Sequence, residues 1–166
     1  MALLSRTMET SRDLYLHKLG AALKMEQTIL EMLPELEEKA NDAQLKAALN
    51  QHYGQTQTHV SNIEKAFEAL GAEPDDSPCP AIEGLEKEGQ SNLKMVDDSL
   101  NDDVVIAGVT ETEHHEIAVY EGLITYAVAM GEQDVVSFLQ QNLEQEQATL
   151  KAARELSKQL AQRAVA

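Results

Sequence analysis

Tryptophan is absent from this sequence, aromatic residues make up only 4% of it, and there is a single cysteine, Cys79. Strands draw on aromatic and β-branched side chains, so the shortage argues against a sheet-based core. One cysteine excludes an internal disulfide framework and suits a reducing compartment. Basic residues are also scarce: 13 Lys and Arg stand against 29 Asp and Glu, a formal charge of −16. Such a surface repels phosphate backbones and anionic lipid, which argues against nucleic acid and membrane surfaces as partners. No apolar run approaches the roughly 20 residues that cross a bilayer. The opening residues, MALLSRTMETSRDLY, carry charge early and do not read as a signal peptide, so the expected location is the cytoplasm.

What remains is rich in Ala, Leu, Glu, Gln and Lys, the composition of helices. The 166 residues suit one domain spanning 1–166, with a core from about 8 to 163. Punctuation divides the chain into five helices, expected near 8–40, 42–70, 80–98, 102–130 and 132–163. Asn41-Asp42 supplies a stop and then an N-cap, Asn101-Asp102-Asp103 reads as the cap of the fourth helix, and Gly131 ends it. Pro34 is expected to bend the first helix. The segment from Gly71 to Pro80 is the only proline-rich loop. Short connections at 41 and 131 predict two antiparallel hairpins, and the short third helix falls in the long crossover between them.

Each long helix carries an apolar seam with steps of three and four residues. The seams run through Leu19, Ala22, Glu26, Ile29 and Leu33; Leu49, His52, Thr56, His59 and Ile63; Val109, Glu113, Glu116, Tyr120 and Leu123; and Leu139, Leu143, Glu146 and Leu150. A carboxylate or an imidazole breaks every seam near its middle, and no Lys or Arg lies there to neutralise it. The pair Glu26 and Gln55 is centred on the Ala40–Asn41 junction, and the pair Glu116 and Glu146 on Gly131. Glu26 is therefore expected level with Gln55, and Glu116 with Glu146. His52 and His59 lie one turn either side of Gln55, and Glu113 lies about one turn from Glu116. Burying a single unpaired carboxylate costs several kcal/mol, roughly, and here three or four converge. Either they share protons at raised pKa, or cations bind between them, as carboxylate oxygens and imidazole nitrogens permit. His114 and His115 are adjacent and cannot both face inward. Cys79 reads as an unreactive loop or buried thiol, and Tyr15, Tyr53, Tyr120 and Tyr126 as residues at the edge of the core.

Taken in order, LKMEQTILEMLPELEEKANDAQLKAAL, the H-x-x-Q-T-x-x-H of the second helix, CPAIEGLEKEG, EHHEIAVYEGL and LEQEQATL resemble the ferritin-like stress-response proteins of the bacterial YciE/YciF type. The resemblance covers about residues 13–156. It implies an all-α, ferritin-like antiparallel four-helix bundle with an additional short crossover helix. It also implies a homodimer and a dinuclear metal site; the donor set itself is expected to hold one or two ions, iron or manganese, in stress or oxidative protection. Carried over residue by residue, Glu26 falls on the glutamate of the first helix, Glu113, His114 and Glu116 on the family's Glu-His-x-Glu segment, and Glu146 on the acidic pair of the last helix. Gln55 stands where members commonly carry glutamate, giving a weaker ligand with one charge fewer. The expected metal residues are thus Glu26, Gln55, His59, Glu113, Glu116, Glu146 and His52. The competing expectation is a helical interaction protein that kept the fold and lost or weakened the metal site.

Overall fold

The computed structural model describes residues 7–75 and 77–165. Five α-helices follow one another: α1 (Ser11–Lys39), α2 (Ala43–Ala69), α3 (Pro80–Met95), α4 (Asn101–Met130) and α5 (Gln133–Ala164). There is no strand among the described residues. Helices α1 and α2 pair as one hairpin and α4 and α5 as the other; the hairpins meet through α2 against α5 and α1 against α4. Helix α3 lies in the crossover, packed on α4 and α1. This is the expected ferritin-like bundle.

Local chemistry explains most helix ends. Thr10 and Asp13 form a reciprocal capping box at the start of α1. The Asp42 carboxylate accepts from the backbone N–H groups of Gln44 and Leu45 at 2.8 and 3.0 Å, capping α2. Pro80 occupies the first turn of α3, where a missing N–H costs nothing. Gly71 and Gly131 adopt φ of 64° and 79°. Each is followed by an N–H that reaches back five residues, Ala72 to Phe67 and Glu132 to Ala127, which satisfies an otherwise orphaned carbonyl. Pro34 lies inside α1 without ending it.

The start of α4 departs from expectation. Residues Asp98–Leu100 form a separate 3₁₀ turn, and Leu100 precedes α4 with no side-chain cap. Asp102 does not cap its own helix; its carboxylate accepts from the N–H groups of Asn41 (2.6 Å) and Asp42 (3.0 Å). Asn101 in turn donates to the carbonyl of Lys39 at 3.1 Å, and Asn41 to that of Asp98 at 2.7 Å. The tight α1–α2 turn is thereby fastened to the beginning of the second hairpin. The crossover loop is seated on α1 at Gly20. A Cβ there would stand 2.3 Å from the Asp75 carbonyl oxygen and 2.8 Å from the Ser77 hydroxyl, so only glycine lets the loop pass.

Candidate metal centre

The seams face inward as their spacing predicts. Leu19, Ala22, Ile29 and Leu33 of α1, Leu49, Ile63 and Ala66 of α2, Val105, Leu123 and Ala127 of α4, and Leu139, Leu143 and Leu150 of α5 are all buried. The polar interruptions are carried inward with them: Glu26, His59, Glu116 and Glu146 are each 0% exposed, Glu113 1% and His52 4%. Two of the four tyrosines are not at the core edge. Tyr15 and Tyr120 are fully buried, because each falls on its helix's inward stripe, whereas Tyr53 and Tyr126 are exposed.

The buried donors gather into two adjacent groups. Glu26, His59 and Glu146 form one; His52, Glu113, Glu116 and Glu146 form the other, and in each a ligand atom from every residue lies within 4.8 Å of the rest. Glu146 belongs to both. In the first group, His59 Nδ1 stands 2.8 Å from Glu146 Oε1 and 3.5 Å from Glu26 Oε2. In the second, His52 Nε2 stands 3.2 Å from Glu113 Oε1. Gln55 is half-buried beside the His52 ring. His114 points away: it is exposed and lies 3.0 Å from the Arg154 guanidinium. His115 is half-buried on the outer flank of α4, along a groove it shares with Tyr126 and Cys79, and Cys79 is a free, buried thiol.

Four more residues surround the first group: Tyr120, which lies on the α4 seam, and Asn62, Asn142 and Gln145, which had no distinguishing sequence signal. The Tyr120 hydroxyl donates to Glu26 Oε1. Asn142 donates to the Tyr120 oxygen at 3.1 Å and to the His59 carbonyl at 3.2 Å, and its own Oδ1 accepts from Asn62 at 2.8 Å. On the far side of the His59 ring, Nε2 lies 2.9 Å from Gln145 Oε1. A neutral His59 donating from Nε2 to Gln145 turns the lone pair of Nδ1 toward Glu26 and Glu146.

The electrostatics follow from burial without basic partners. Burial, then the charges of Glu146 and Glu26, pushes Glu113 up to about 11. The same causes, with Glu113 added, hold Glu116 well above the carboxylate range. Burial also raises Glu26 despite its bonds to His59 and Tyr120. For His59 burial favours the neutral ring, but Glu146 and Glu26 override it and raise the imidazole to about 10. Glu146 is drawn downward because His59 outweighs its burial. His52, dominated by burial, is lowered. Burial and mutual charge thus favour the protonated forms of Glu113 and Glu116, while the attraction between Glu146 and His59 favours an ion pair. Even so, Glu26 Oε2, Glu113 Oε2, both oxygens of Glu116 and of Glu146, His52 Nδ1 and His59 Nδ1 are buried with no hydrogen-bond partner. The His59–Glu146 approach is close but lacks hydrogen-bond alignment. Buried polar atoms are normally satisfied, and orphaned oxygens and imidazole nitrogens that converge are the donor set of a hard or borderline divalent cation.

An antiparallel helical bundle with carboxylates and histidines projecting into its centre defines a ferritin-like protein. The chain belongs to the family described as Domain of unknown function (DUF892), whose model matches residues 10–166. It is 27% identical to Protein YciF of Escherichia coli K12 over 144 residues, 86% of this chain and 87% of that one. The crystal structure of the E. coli stress protein YciF superposes with a TM-score of 0.88 at 25% identity, covering 93% of this chain and 99% of that one. YcfI of Rhodopseudomonas palustris, a proposed structural protein, is 35% identical with a TM-score of 0.87, covering 90% and 96%. The resemblance to YciF-type stress proteins seen in the motifs is thus upheld across nearly the whole chain.

Proposed function

We propose that this chain is a ferritin-like metal-binding protein that holds two cations, iron or manganese, in its bundle centre and serves in oxidative-stress protection. The single observation that carries this reading is the set of orphaned, fully buried carboxylate oxygens and imidazole nitrogens in two groups joined at Glu146. Glu26 and His59 would hold one ion, His52, Glu113 and Glu116 the other, with Glu146 serving both. A bound iron or manganese pair would supply redox chemistry toward peroxide or ferrous iron. The chain's own part is positional. Four apolar seams exclude water, Gln145 orients the His59 ring, and Glu113 and Glu116 hold protons that leave when a cation enters. A cytoplasmic homodimer fits the acidic surface, and the groove between α1 and α4, walled by exposed Leu14 and Tyr126, is the apolar face a second copy would cover.

A second reading is a helical interaction protein in which protons alone satisfy the centre. The raised pKa values of Glu113 and Glu116 favour it, and YcfI has been described as a proposed structural protein. Elemental analysis of protein purified without chelator separates the two. Iron or manganese approaching two per chain supports the first reading; a metal-free protein that also refuses both ions on incubation supports the second.

A further inference from the structure

The two cation positions are built differently. Around Glu26 and His59 nearly every free valence is fixed. Tyr120 donates to one Glu26 oxygen, leaving the other for the centre; Asn142 holds Tyr120 and is itself held by Asn62; Gln145 fixes the far nitrogen of His59. Around His52, Glu113 and Glu116 the bracing is sparser: Gln55 lies beside the His52 ring, and His52 Nε2 stands 3.2 Å from Glu113 Oε1. His52 Nδ1, Glu113 Oε2 and both Glu116 oxygens lack partners. Empty space adjoins that side as well. Apolar cavities of about 40 and 90 Å³ reach His52, one beneath α3 between Leu33 and Gly108, the other between α2 and α5 beside Ala153. Ligands whose rotamers are already fixed lose little freedom on binding, while sparsely braced ligands beside a void must be ordered first.

We propose that the positions fill in order: Glu26, His59 and Glu146 take the first cation tightly, and His52, Glu113 and Glu116, with the shared Glu146, take a second that exchanges readily. Tyr120, Asn142 and Gln145 are positioning residues for the first. This rests on the metal-binding reading above.

Calorimetric titration of the metal-free, full-length chain with Mn²⁺ alone tests it. The unaltered protein should show two steps of unequal affinity. Tyr120→Phe, which removes one hydroxyl and little volume, should weaken the tighter step by about 10- to 100-fold, the usual effect of losing such an outer partner. Gln145→Ala, on the half-exposed flank of α5, should act in the same direction without disturbing the core. His52→Gln should abolish only the weaker step. Two equal steps in the unaltered chain overturn the proposal. So does a tighter step that stays within about twofold in both Tyr120→Phe and Gln145→Ala, measured against that expected loss. Failure of the unaltered chain to bind Mn²⁺ at all overturns the metal-binding reading, and this one with it.

Discussion

His59 Nδ1 and Glu146 Oε1 stand 2.8 Å apart at the bundle centre, and neither makes an aligned hydrogen bond. A proton there would be shared between the imidazole and the carboxylate, whereas a cation beside them would engage both lone pairs. Which occupant the chain carries decides how its stability responds to chelator and to pH.

Removing metal at neutral pH should lower the melting temperature. A ligand that binds only the folded state adds about 2.7 kcal/mol when free at 100 times its dissociation constant. For a domain of this size that corresponds to about 5–10 °C. Replacing Glu26, Glu116 and Glu146 together by Gln should abolish the metal effect, because one carboxylate or more is lost from each group of donors. Scanning calorimetry with chelator, and with added iron or manganese, reads both. Identical wild-type curves would count against metal.

Metal-free protein should lose stability as pH rises from 7 to 9. Glu113 and His59, raised to about 11 and about 10, and Glu116 keep protons in the folded state that the unfolded chain has already released. The folded state binds more protons, so stability present at low pH is lost as pH climbs toward those values. The lowered His52 and Glu146 act below this window. Because a cation displaces the same protons, the gap between loaded and metal-free melting points should widen over the same range. A flat difference would refute the assignment of protons to the centre.

Gly20→Ala should destabilise by about 1–3 kcal/mol, as its Cβ meets the Asp75 carbonyl and forces the crossover loop off α1. Gly54→Ala is the control: it sits in mid-helix with open space around its Cβ and should stabilise by about 0.5–1 kcal/mol. Urea denaturation of both variants checks the opposite signs.

Sedimentation at micromolar concentration should give twice the 18.3 kDa chain mass. Tyr126→Glu, on the exposed wall of the α1–α4 groove, should shift it toward the monomer. A monomeric unaltered chain would refute the dimer.

The helices were legible because their seams recur at bundle spacing and their ends carry glycine, proline and Asx signals; every boundary lies within three residues of expectation. Glu26, Glu113, Glu116 and Glu146 were legible as charges interrupting apolar stripes. Asp102 was not. Its local pattern is that of an N-cap, while its partners, Asn41 and Asp42, lie about 60 residues away in sequence. Asn62 and Asn142 look like ordinary surface amides until two helices bring them together at 2.8 Å. Helix register fixes level only to about a turn, so it could not choose among His52, Gln55 and His59 on α2.

The donors are divided between the two hairpins. Glu26, His52 and His59 come from α1 and α2; Glu113, Glu116 and Glu146 come from α4 and α5. Each group of donors needs residues from both halves, so neither hairpin folded alone contains a complete set. On the metal-binding reading, the first hairpin would emerge from synthesis with only part of each donor set, and the second would arrive after the crossover. Cation uptake would therefore, on that reading, be a late event that reports correct docking of the halves. A chain whose hairpins collapse in the wrong register would be left without metal and with its carboxylates still seeking protons.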